Sequence, residues 1–355
     1  MKYWKKMLQI GAVFTVVAAA WLVWELHPAH HFGYKTYPVL AMPHEAYNVP
    51  EAEDPEVSAT PSSASESQPS EAEAVPSATP EPAAAAEPED PAVWPVEKDE
   101  KAFNVLLLGV DTDNEEAART DVIVLAHVMP TLKKINVVSI PRDTRVKLAG
   151  IGETKINHAH ALGHAKAGSK GGTEAAIQAV SNMLGVPIHY FAKMNFKGFK
   201  EFIDMIGGVD LAIEREMRID NQLFLQAGKQ HLDGEKALIF VRERYSLENG
   251  DFGRQADQIL LMKAVLGQLL QPEKLVELPA LIGKVKKDVV ETNFSDADLI
   301  SLAWLFKGFS FDDIAYVQIP GRSAMMDDPL MGMPLWYWVP DKEQVKKLVR
   351  QYVAS

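Results

Sequence analysis

Apolar runs broken by charged or turn-forming residues dominate the chain between residues 103 and 146. NVLLLGV (104–110), VIVLAHV (122–128) and INVVSI (135–140) are short, rich in leucine and β-branched residues, and each ends at a proline, a charge or a short polar loop. Runs of this length and composition predict strands. The period then lengthens. GGTEAAIQAVSNMLG predicts a helix with Thr173 as its N-cap and Gly185 just past its end. IHYFAKMN (188–195) predicts a strand, FKGFKEFIDMIGG a helix and VDLAI (209–213) a further strand. Helices are predicted from about Arg254 to Leu270, in SDADLISLAWLF after a Ser295 cap, and in DKEQVKKLVRQYV, with a strand at IAYVQI (314–319). The stretch GRSAMMDDPLMGMPLWYW (321–338) predicts an exposed loop. Strands and helices alternate without strict βαβ regularity, which predicts one α/β domain around a mixed sheet over residues 101–355.

Two segments of different character precede that domain. Lys2, Lys5 and Lys6 stand before an uncharged stretch, MLQIGAVFTVVAAAWLVW, close to the roughly 20 residues that span a bilayer. Residues 7–26 are therefore predicted as a transmembrane anchor, and the lysines place the tail 1–6 in the cytoplasm. A signal peptide cleaved at the alanines 18–20 is the alternative, but the apolar run continues past them. Residues 27–100 follow as a linker, richest in Pro, Glu, Ala and Ser from about Pro43 to Pro95. Such a composition buries too little apolar surface to offset its ordering entropy and predicts disorder. At about 3.1 Å per residue its extended limit would exceed roughly 150 Å, the reach of a long tether.

Connectivity locates the charges. MPTLKK joins the second and third strands and is short enough for a hairpin. About ten residues separate the first strand from the second, too few for a parallel crossover. An antiparallel return brings Asp111, Arg119, Asp121 and Arg142 to one rim of the sheet. Pro141, without an N–H, ends the ladder where Arg142 must turn out. Paired carboxylates at such a rim suit a hard cation such as Mg2+, which takes one or two carboxylates, keeps waters and accepts phosphate oxygens. Downstream, VRERYSLENGDFGRQADQ carries a second cluster. Arg242 and Arg244 share a face if that segment is extended and splay apart if it ends a helix. Asp251 and Arg254 lie beside two glycines, Gly250 and Gly253, at a helix start, where a cation opposes the helix dipole unless an anion offsets both.

Composition narrows the chemistry. The 355 residues include no cysteine, which removes disulfides and thiolate sites. Residues 51–100 hold fourteen acids and one lysine, so the net charge of −12 leaves +1 for the rest. No basic stripe suggests nucleic acid as a partner. His160 and His164 are four apart, the spacing of one helical face. No HExxH accompanies them, and Gly163 weakens a helix there, so zinc is a poor reading. No G-x-S-x-G elbow is present.

NVLLLGVDTD, ARTDVIVLAHV, VVSIPRDTRV, TKINHAHALGH, MIGGVDL, HLDGEKALIFVRERY and GDFGRQADQ follow one another in an order that resembles the LytR-CpsA-Psr family, from about residue 100 to 270. The resemblance implies an α-β-α sandwich whose hydrophobic channel holds a polyprenyl tail. It implies a membrane-anchored phosphotransferase, outside the cell membrane of a Gram-positive-type envelope. Such an enzyme moves an anionic glycopolymer, a teichoic acid or capsular polysaccharide, from a polyprenyl-pyrophosphate carrier to peptidoglycan. Asp111 and Asp121 would be the magnesium-associated carboxylates. Arg119, Arg142, Arg242, Arg244 and Arg254 would surround the pyrophosphate, with Asp251 and Gln258 in the same pocket. Asp121 and Arg142 would serve catalysis directly. ILLMKAVLGQLL (259–270) could line the channel or simply pack a core. Many members carry arginine before the glutamine matched by Gln258; here Asp257 stands, a charge expected to tune the anion site. An anchored protein that binds polyprenyl lipid or wall polymer without turnover is the alternative.

Overall fold

The apolar runs become strands whose two faces are both covered. The computed structural model describes residues 24–44, 98–111, 119–214, 216–219, 222–242, 251–269, 281–286, 289–306 and 313–353. In chain order the strands are β1 (Phe103–Asp111), β2 (Arg119–Met129), β3 (Lys134–Ser139), β4 (Arg145–Leu148), β5 (Gly152–Lys155), β6 (Tyr190–Asn195), β7 (Val209–Ile213), β8 (Met217–Ile219), β9 (Gln222–Leu225), β10 (Gly228–Leu232), β11 (Val290–Thr292), β12 (Ile314–Gln318), β13 (Gly321–Asp328) and β14 (Met333–Pro340). The helices are α1 (Pro28–Tyr34), α2 (His158–Leu184), α3 (Phe196–Met205), α4 (Gly234–Arg242), α5 (Asp251–Leu269), α6 (Asp296–Phe306) and α7 (Lys342–Tyr352).

Six strands form a mixed sheet in the order β11-β6-β1-β2-β3-β12. β1, β2 and β3 are antiparallel neighbours, as their short connections predict, while β6 runs parallel to β1 and β12 parallel to β3. On one face Leu106, Leu108, Leu125 and Val138 pack with Ile177 and Val180 of α2 and with Val345 and Leu348 of α7. Val105, Leu107, Val124 and Val137 alternate with them and point to the other face, beneath α3, α4, α5 and α6. A satellite core joins α3, α4 and α5 to β7 and β10 through Ile203, Phe240, Leu261, Val209 and Leu232.

Three expectations need correction. The helix predicted to start at Thr173 starts at His158, with a kink at Ala167 and Gly168. Thr173 is not a cap; its hydroxyl donates to the Ser169 carbonyl. The glycines that read as helix breakers serve close packing instead, since a Cβ at Gly163 would run into the Gly171 carbonyl. Residues 321–338, expected as a loop, form the hairpin β13–β14. Its turn is organised by buried Asp328, which accepts from the backbone N–H groups of Leu330 and Met331 at 2.8 Å.

The third correction concerns the linker. Residues 27–44 belong to the folded domain. Phe32 is fully buried, 5.1 Å from the Phe103 ring. Tyr37 donates its hydroxyl to the carbonyls of Phe32 and Lys101. His31 and Lys35 both engage Asp298 at the start of α6. Burial pushes the Asp298 carboxyl up, but hydrogen bonds from Lys35, Ser295 and His31 outweigh it and bring it down to about 2. Ala41 forms an antiparallel bridge with Ile188, and the His44 N–H donates to Asn182 Oδ1. Seven helical residues cannot stand alone in water. Tertiary contacts hold them, which is why composition gave no sign of order. The rest of the predicted linker, 45–97, and the predicted anchor up to residue 23 lie outside the described residues. Among the described residues no helix is long and apolar enough to cross a membrane.

Candidate active site

The rim forms where β1 and β2 change register. Gly109 faces Val122, but the next pair is Val110 with Thr120, so Asp121 is an extra residue on β2. A bulge of this kind breaks the alternation of side chains and re-aims one of them. Asp121 and its neighbour Val122 consequently both line the same cavity, while Thr120 is fully buried. Asp111 and Arg119 form the last pair of the ladder. Gly109 permits the arrangement, because a Cβ there would lie 2.9 Å from Val122 Cβ. A Gly109→Ala variant is expected to cost about 1–3 kcal/mol of stability by overpacking, and to displace Asp121 as β2 yields. Urea unfolding checks the first effect, and turnover of the purified variant the second.

Arg142 follows Pro141 at the end of β3. The turn is stitched at three points: Thr144 N–H to the Pro141 carbonyl, Ile156 N–H to Thr144, and Asn157 N–H to the Arg142 carbonyl at 3.3 Å. Arg142 Nη1 donates to Asp121 Oδ1 at 2.5 Å. Its Nε lies 3.6 Å from Asp143 Oδ2, and Asp143 Oδ1 accepts from Lys155 Nζ at 2.7 Å. Lys155, Asp143, Arg142 and Asp121 thus alternate in sign along one path. The path fixes the direction of the guanidinium toward the cavity.

Arg242 is the last described residue of α4, on a helix. Its guanidinium lies over the Phe196 ring at 4.2 Å from the centroid, and it lines the cavity with Asp111, Asp121 and Arg142. Arg244 lies outside the described residues. Asp251, Arg254 and Gln258 fall in the N-terminal half of α5, which packs against α4. Asp257 is 4% exposed on α5. His160 and His164 stack on α2 at 6.2 Å between ring centroids.

The cavity measures about 1000 Å³. Its floor is the sheet, from Val105 to Asp111 along β1, a run of about 20 Å at the rise of a strand. Its roof is Phe196, Phe199 and Phe202 of α3, Leu238 and Val241 of α4, Leu261, Met262 and Val265 of α5, and Leu302 and Phe306 of α6. Three residues of the apolar run 259–270 therefore do line a channel. Apolar walls lead to one polar end, where Asp111, Asp121, Arg142 and Arg242 collect. The phenylalanines of α3, spaced by three, are a helical stripe that sequence alone could have assigned to this wall. Asp143 and Lys155 carried no separate signal, because their role depends on the turn at Arg142.

A profile of the LytR_cpsA_psr family matches residues 60–353. Among similar proteins, the Bacillus cereus polyisoprenyl-teichoic acid–peptidoglycan teichoic acid transferase TagU is 34% identical over 239 residues, 67% of this chain and 74% of that one. The Bacillus subtilis transferase TagV, of the same printed activity, is 29% identical over 272 residues, 73% of this chain and 66% of its own. The crystal structure of B. subtilis TagV superposes with a TM-score of 0.59 and 29% identity, covering 71% of this chain and 97% of that one. With a bulged carboxylate, a tethered guanidinium and a long apolar channel on the same sheet, the chain belongs to the LytR_cpsA_psr family.

Proposed function

We propose that the protein is a phosphotransferase that moves an anionic glycopolymer from a polyprenyl-pyrophosphate carrier to peptidoglycan. The observation that carries this reading is the channel: about 1000 Å³ of apolar space ending in two carboxylates and two guanidinium groups. That is the shape of an amphiphile with an isoprenoid tail and an anionic head. The similar TagU and TagV proteins are named as transferases of teichoic acid to peptidoglycan, which supports the donor and acceptor classes. The predicted anchor would place the domain outside the cell membrane.

The protein's part in such a transfer is positioning and charge neutralisation. Arg142 and Arg242 would clamp the pyrophosphate oxygens, Arg142 with its planar fork held by Asp121 and Asp143. Arg119, Arg244 and Arg254, with Asp251 and Gln258, would complete the head-group pocket. Asp111 and Asp121 offer hard oxygen donors beside the phosphate position and would hold Mg2+, which supplies Lewis-acid relief of the pyrophosphate charge. The walls from β1 and α3 would exclude water from the tail and fix the head at the rim. Release of polyprenyl phosphate from a lipid-linked pyrophosphate sugar, with peptidoglycan acceptor and magnesium, tests the reading against Asp121→Ala. Turnover lost in the variant supports it. Tight donor binding without any turnover by the unaltered protein would replace it with a lipid-binding role.

A further inference from the structure

Asn195 is a polar residue of the cavity wall with no part in the transfer as described above. It ends β6, which runs beside β1 on the flank opposite β2. There it pairs with Val110, one position before Asp111. It lines the cavity together with Asp111, Asp121, Arg142 and Arg242. Neighbouring strands lie about 4.8 Å apart, so β6 and β2 stand about 10 Å apart across β1. The polar end of the channel therefore has two flanks, with Asp121 and Arg142 on one and Asn195 on the other.

The fold fixes which end of the Asn195 amide is left over. Asn195 is the N-cap of α3, and its Oδ1 accepts from the Gly198 N–H at 2.7 Å. Only the oxygen of an amide can accept from an N–H, so this bond assigns the two ends and leaves the NH2 as a donor. That NH2 makes no hydrogen bond among the described residues, and it is not one of the polar atoms sealed inside the protein. A donor with two unspent protons is thus held in place by a bond to the backbone, before any ligand arrives. The next residue, Phe196, lies beneath the Arg242 guanidinium, 4.2 Å from its ring centroid. The cap that orients the amide therefore also starts the helix on which Arg242 rests.

We propose that Asn195 is a further binding residue for the donor: its amide donates to a non-bridging oxygen of the pyrophosphate from the β6 flank, opposite Arg142. This rests on the pyrophosphate-headed donor of the transferase reading above. Two guanidinium groups place the anion at this end of the channel, and a neutral donor beside them adds direction without adding charge. A hydrogen bond to an ionised acceptor is stronger than one between neutral groups, and this donor needs no reorganisation to make it. Held from both flanks, the head group sits across the end of β1, at Asp111.

The test is binding of a lipid-linked pyrophosphate sugar, and of the bare polyprenyl alcohol, to the full chain, Asn195→Ser and Asn195→Asp. Urea unfolding and polyprenyl-phosphate release are measured on the same samples. Serine and aspartate cap helices as asparagine does, so the unfolding midpoint is expected to stay where it is. Asn195→Ser, without the amide, is expected to weaken donor binding about 10-fold. Asn195→Asp, which sets a carboxylate against the anion, is expected to weaken it about 100-fold. Binding of the alcohol, which has the tail and no phosphate, is expected to be unchanged in both. Donor affinity of Asn195→Ser within about 3-fold of the unaltered protein overturns the assignment and leaves the transferase reading standing. A loss that the alcohol shares, or that follows a loss of fold, does the same. Donor binding without turnover by the unaltered protein overturns the transferase reading, and the affinities of the two variants still decide this one. No donor binding by the unaltered protein overturns both.

Discussion

Arg142→Ala is expected to lower turnover about 10²–10³-fold, the usual loss when one preorganised donor is removed from developing negative charge. The guanidinium stands at the polar end of the channel and is held from two sides, by Asp121 at 2.5 Å and Asp143 at 3.6 Å. On the proposed function, removing it would delete a phosphate clamp and leave two carboxylates facing an anionic head group. Arg142→Lys keeps the charge but loses the planar fork, so it should recover only part of the rate. The side chain is 21% exposed and belongs to no apolar core, so unfolding should change little. The comparison to make is kcat/KM for polyprenyl-phosphate release beside urea unfolding of the same samples. A fall in rate that merely tracked a loss of fold would remove Arg142 from the chemistry.

Phe32→Ala is expected to destabilise the domain by about 3–5 kcal/mol, the range for truncating a fully buried phenylalanine. Phe32 fills the space between Phe103 and the start of α6, in a cluster that includes Tyr190 stacked on Phe294 at 4.1 Å. The same cluster closes the apolar end of the channel, where Val105, Phe294 and Leu302 line the wall. The variant should therefore also weaken binding of the lipid tail. Denaturant unfolding measures the first effect. A change near zero would mean that residues 27–44 are a linker after all.

The legible parts of the fold were those set by local pattern. The strands β1, β2 and β3 announced themselves as apolar runs, and loop lengths alone fixed their antiparallel order. That order was enough to gather Asp111, Arg119, Asp121 and Arg142 at one rim. The bulge at Asp121 was not legible, because it is a difference in register between two strands and neither strand carries it alone. The start of α2 was hidden by glycines that normally break helices but here let two helical segments touch. In β13–β14 the turn depends on Asp328 accepting backbone hydrogen bonds, with no Asn-Gly or Asp-Gly signature to mark it.

The docked segment 27–44 changes what the acidic stretch is for. Residues 27–44 and 98–111 both belong to the folded body, so both ends of the acidic stretch are fastened to one object. A leash lets its cargo roam; a loop closed on the cargo gives it no range. With the predicted anchor at 7–26, the bilayer span would meet the domain directly at residue 27. The polyprenyl-linked donor proposed above would lie in that same bilayer. The channel would then work at the headgroup surface, where an isoprenoid tail can slide from lipid into protein without crossing water. Under this arrangement the burden of travel passes to the acceptor: the wall has to come down to the enzyme.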